Sequence, residues 1–117
     1  MSRLIKYAPQ SEIVIAANVR IAEDFFSRAK GLLGEKSLQV GSGLWIKRCS
    51  SIHTFFMQFP IDVIFVDRHL RVKGIYNDLQ PWRATFPIWK GNSVFELPAG
   101  TLAQLSIKLG DQLDVRD

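Results

Sequence analysis

Ile61-Asp62-Val63-Ile64-Phe65-Val66-Asp67-Arg68-His69-Leu70-Arg71-Val72-Lys73-Gly74-Ile75-Tyr76 is the stretch that decides the architecture. Two runs rich in β-branched and aromatic residues flank Asp67-Arg68-His69, a connection of the length that closes a tight hairpin. The pattern predicts paired strands over Ile61–Val66 and Leu70–Tyr76.

Working outward, Leu4–Tyr7 and Ile13–Ala17 flank the turn signal Ala8-Pro9-Gln10-Ser11 and read as a second hairpin. Leu44–Ile46 follows the Gly41-Ser42-Gly43 turn as a strand, and Ser51–Met57 reads as another. Val94–Leu97 and Gln112–Val115 complete the strands. From Glu23 to Leu33 the apolar spacing becomes helical, with Phe25, Phe26, Ala29, Leu32 and Leu33 near one face and Gly34 as the stop. Thr101 is placed to cap a short helix through Leu105. Pro81, Pro87 and Gly91 break any period between Asn77 and Asn92, which reads as a long loop. The expectation is an α+β fold, mostly antiparallel β. A small partly closed sheet or barrel is packed by one main helix (about 23–33) and a short second helix (about 101–105), in a single domain over 1–117.

Composition narrows the classes. The 117 residues suffice for one core, and 47% hydrophobic with 22% charged residues is too apolar for a disordered chain. Cys49 is the sole cysteine, so neither an internal disulfide nor a CxxC redox or zinc motif is available. The N-terminus carries no apolar signal-peptide core, and no apolar run approaches the ~18 residues of a membrane span. An unprocessed cytoplasmic chain without membrane partners is expected. The net charge of +4 comes from 15 basic residues spread among 11 acidic ones, the pattern of a solvated basic surface.

Several separated landmarks occur in order: Arg28-Ala29-Lys30-Gly31-Leu32-Leu33, Gly43-Leu44-Trp45, His53-Thr54-Phe55-Phe56-Met57, Pro60-Ile61-Asp62-Val63-Ile64-Phe65, and Glu96-Leu97-Pro98-Ala99-Gly100 before Gly110-Asp111. Together they resemble the family called domain of unknown function 192, over roughly residues 14 to 115. The resemblance implies a small β-rich fold and no particular activity. Where relatives commonly carry Asn-Thr after the methionine, this chain has Gln58-Phe59.

Candidate site residues are polar groups on apolar elements. Strand alternation would set His53, Phe55 and Met57 on one face, a pairing that suits either a soft metal or an edge-of-core histidine beside packing side chains. Asp62 falls on the face of Ile64 and Val66, where a carboxylate needs partners, and Arg28 is the expected one. Glu96 is a single acid on the apolar strand before Pro98. Trp82, Arg83 and Trp89 in the long loop are residue types that dominate binding hot spots, or else they cover the open end of the sheet.

The leading reading is a non-enzymatic binding module for a small polar or anionic ligand or a protein partner, with no cofactor and no metal. Its candidate residues are Arg28, His53, Met57, Asp62, Trp82, Arg83, Trp89 and Glu96. The alternatives are a small acid–base, hydrolase-like enzyme using Asp62 or Glu96 with His53, and nucleic-acid binding through the Trp82–Lys90 loop.

Overall fold

In the computed structural model, which describes residues 2–117, the chain forms β1 (Ser2–Ala8), β2 (Ser11–Ala22), α1 (Phe25–Lys30), β3 (Ser42–Lys47), β4 (Ile61–Val66), β5 (Val72–Leu79), β6 (Ser93–Pro98), a 3-10 turn (Leu102–Gln104) and β7 (Leu113–Arg116). The strands make one mixed sheet in the order β5-β4-β6-β3-β2-β1-β7. Both expected hairpins form, as β1–β2 and β4–β5. The pair β2–β3 is parallel, because the excursion through 23–41 returns the chain beside β2 in the same direction.

The α+β expectation is overturned. Among the described residues there is no main helix over the sheet, since α1 has only six residues. Asp24 caps it by accepting from the Ser27 N–H at 2.8 Å, which leaves Glu23 outside. Gly31 ends it at φ 50°, three residues before the expected stop at Gly34, and its N–H closes on the Ser27 carbonyl. A left-handed backbone comes readily to glycine, and one inside the apolar period was enough to cut the helix. The placement of Phe25 and Phe26 on its inner face lies outside the described side chains. Thr101 does not cap the second segment either; its hydroxyl donates to the Pro98 carbonyl, and the Leu102 N–H goes to Asp62 Oδ2 at 2.8 Å.

The sheet curls until its edges meet. Val72 N–H donates to the Asp111 carbonyl, Gly110 N–H to Val72 and Leu113 N–H to Leu70, around a bridge between Arg71 and Gln112. One buried cluster lies on the concave side, including Leu4, Ile15, Ile64, Val66, Phe95, Leu97 and Leu113. Gly43 lies under it, where a Cβ would stand 2.9 Å from Leu97 Cδ2. A second cluster covers the opposite face of β3, β4 and β6: Leu44, Ile46, Ile61, Val63, Phe65 and Val94, closed over by Leu32 and Met57. Alternate residues of β4 and β6 thus enter different cores, so both strands are buried throughout and read as near-continuous apolar runs. Full burial of each such side chain is worth roughly 1.5–3 kcal/mol.

The expected strand Ser51–Met57 is absent. Its backbone makes one bridge, His53 to Ala84, and then turns at Phe56, whose φ is 67°. The expected loop 77–92 is likewise more ordered than its prolines suggest. Its first residues extend β5, and the rest ladders against 50–54 through Thr54 N–H to Arg83, Thr85 N–H to Ile52 and Ile88 N–H to Ser50. Buried Thr54 locks the two segments, its hydroxyl donating to the Gln80 carbonyl at 2.6 Å and accepting from Arg83 N–H at 2.9 Å.

Candidate functional site

A cavity of about 160 Å³ opens on the second core, between the end of α1, the segment 49–57 and the sheet. Leu32, Ile46, Ile52 and Met57 wall it with apolar surface, Arg28, Lys30, Cys49 and His53 also line it, and Glu96 reaches it from β6. Alternation explains the last position. Phe95 and Leu97 enter the concave core, so Val94 and Glu96 face the other way.

Glu96 is 4% exposed, and its strand neighbours are Leu44 on β3 and Val63 on β4. Among the described residues, Glu96 Oε1 has no hydrogen-bond partner. Burial pushes its carboxyl up to about 7, because an ionised carboxylate is costly in so buried a position.

Arg28 lies in the same cavity but is committed elsewhere. Its Nε donates to the Lys47 carbonyl at 2.8 Å and its Nη2 to the Arg48 carbonyl at 2.6 Å, fastening α1 to the end of β3. The expected ion pair with Asp62 does not form. Asp62 projects to the concave side, where Oδ1 accepts from Asp78 N–H and Oδ2 from Leu102 N–H, both at 2.8 Å. It joins β5 to the 3-10 turn and is remote from the cavity lining.

His53 and Met57 both line the cavity, though not through strand alternation: Met57 is buried and His53 is exposed at the rim. His53 stacks on Phe55 with ring centroids 5.0 Å apart, and Phe55 and Phe56 lie 6.0 and 4.6 Å from Trp82. Trp82 thus belongs to an aromatic ridge beside the mouth. Arg83 contributes its backbone to Thr54 while its side chain is exposed, and Trp89, 84% exposed, lies outside the cavity lining. The eight candidates therefore divide: Arg28, His53, Met57 and Glu96 share the cavity, and Asp62, Trp82, Arg83 and Trp89 do not line it.

Cys49, which is not among the eight candidates, also lines the cavity. Its thiol donates to the Ser51 carbonyl at 3.0 Å, and burial pushes it above its ordinary range, with the Glu96 charge acting in the same direction. Nothing in its sequence neighbourhood signals this position, which depends on where the chain turns after β3. No set of three or more His, Cys, Asp or Glu side chains converges as metal ligands among the described residues. A wider depression of about 460 Å³ beside the β4–β5 turn contains Asp67, but Asp67 Oδ1 already accepts from the N–H groups of His69 and Arg71. No helix among the described residues is long and apolar enough to cross a membrane.

Comparison with known proteins gives a consistent family. The model of DUF192, described as an uncharacterized ACR, matches residues 7–115. A UPF0127 protein of Pyrococcus horikoshii is 37% identical over 98 residues, 81% of this chain and 84% of its own. Another, of Thermococcus sibiricus, is 31% identical over 105 residues, 86% of this chain and 68% of its own. The crystal structure of a protein of unknown function from Novosphingobium aromaticivorans superposes with a TM-score of 0.82 at 23% identity, covering 96% of this chain and 83% of that one, a likeness of fold.

Proposed function

The chain belongs to the domain of unknown function 192 family, and on that premise we propose that it is a non-enzymatic binding module for a small polar ligand held over Glu96. One observation carries the reading: a carboxyl group only 4% exposed, with an oxygen that has no partner among the described residues, facing a cavity with apolar walls. Buried polar atoms are almost always satisfied, and an exception at a cavity marks the place where a ligand completes the hydrogen bonding. Arg28 and Met57 shape the cavity, and His53 stands at its rim. An anionic ligand is disfavoured by the acid that floors it. The enzyme alternative loses Asp62, whose two oxygens are occupied on the other side of the sheet.

The test is a fragment titration followed by amide resonances of the ¹⁵N-labelled protein. Shifts are expected at Gly31–Leu33, Ile46 and Cys49–Met57, and they should vanish in Glu96→Gln. Shifts confined to Trp82–Lys90 on addition of an oligonucleotide, with none around Glu96 for any fragment, would overturn the reading in favour of nucleic-acid binding.

A further inference from the structure

We propose that the group held by Glu96 is the ammonium of a small primary amine, whose alkyl or aryl body lies against Leu32, Ile46, Ile52 and Met57. The inference rests on the binding reading above and names its ligand class.

The chemistry follows from what the carboxyl lacks. None of the ion pairs among the described residues involves Glu96. Its neighbours on the sheet, Leu44, Ile46 and Val63, are apolar. From α1 the facing charges are Arg28, tied to two carbonyl groups, and Lys30, which is exposed; from the segment 49–57 they are the Cys49 thiol and the exposed His53. Among the described residues, no side chain supplies a cation in contact with Glu96 Oε1. A ligand ammonium does so, and inside low-polarity walls the attraction is little screened. Hydrogen bonds to an ionised acceptor are also about twice as strong as neutral ones.

Size limits the body of the ligand. A dry cavity of about 150 Å³ is known to hold benzene, and the space here, about 160 Å³, accepts an amine of comparable bulk. Binding has a defined proton balance. The carboxylic acid form gives its proton to water, the ligand stays an ammonium, and a carboxylate–ammonium pair results. Primary amines titrate at about 10, so between pH 6 and 8 the ligand's own charge is constant.

The experiment is calorimetric titration of the whole chain with isobutylammonium chloride at pH 6, 7 and 8, in phosphate and in MOPS, neither of which is a primary amine, beside isobutyramide and sodium isobutyrate. Buffer-dependent heats should report release of about half a proton per amine at pH 7, and affinity should rise about tenfold from pH 6 to pH 8. Both effects should disappear in Glu96→Gln, whose folding is checked by its melting curve; the proton release of the natural chain stands without that variant. Preferential binding of the amide or the carboxylate, or amine binding without proton release, overturns the ammonium assignment while leaving a binding cavity. If none of the three binds, both readings fall.

Discussion

Glu96 ties the stability of the fold to pH. Its carboxyl is raised from 4.5 to about 7 by burial, so between those values the folded chain holds a proton that the unfolded chain has released. Stability is therefore greatest below about pH 4.5 as far as this group is concerned, falls as pH rises, and levels off above 7. At ~1.4 kcal/mol per pH unit the loss is about 3 kcal/mol. Asp67 and Asp111, whose hydrogen bonds outweigh desolvation, and Asp114, held by the Tyr7 hydroxyl, are lowered from 3.8, so their contributions are lost only at more acid pH. Glu96→Gln should flatten the decline, as read by urea denaturation at pH 5 and pH 8. An equal decline in the two proteins would contradict the burial of an unpartnered acid. That Glu96 is an odd residue was visible in Val94-Phe95-Glu96-Leu97; that Oε1 lacks a partner was not, because its surroundings come from β3, β4, α1 and the segment 49–57.

Among the elements, β4 fixes the face of Asp62 through alternation but not its partner. Alternation in Ile61–Val66 set its side chain with Ile64 and Val66, on the face where the structure has it. Arg28 is not that partner, because α1 lies over the opposite face and commits its arginine to the end of β3. Asp62 instead does for the 3-10 turn what Thr101 was expected to do, from 40 residues away in sequence. Asp62→Ala leaves two backbone N–H groups without acceptors and should cost about 3 kcal/mol or more. Asp62→Asn, which keeps one acceptor, should cost less. Urea denaturation measures both, and isobutylammonium affinity should stay unchanged in the asparagine variant. An alanine variant as stable as the natural chain would contradict this role. Helix α1 teaches a related lesson: Phe25 to Leu33 has helical spacing, yet Gly31 within it ended the element.

The whole molecule is a curled sheet with two cores, and the cavity belongs to the outer one. Hairpins β1–β2 and β4–β5 were legible because turn residues and alternating runs lie close together in sequence. The parallel β2–β3 pair and the contact of the β5 and β7 edges were not, since each joins segments far apart in the chain. Seeing the second core required knowing that β4 and β6 are covered on both faces. Only this arrangement brings Arg28, His53, Met57 and Glu96 to one cavity and sends Asp62 to the other side. Glu96 lies there buried, without a partner for Oε1 among the described residues, and placed to meet a cation. The most direct measurement is the carboxyl ¹³C titration of Glu96, assigned by Glu96→Gln, without and with saturating isobutylammonium. A midpoint near 7 is expected in the free protein, falling toward the ordinary carboxylate range when the amine is bound. A midpoint already near 4.5 and unmoved by the amine would mean that Glu96 is solvated or already paired and holds no ammonium.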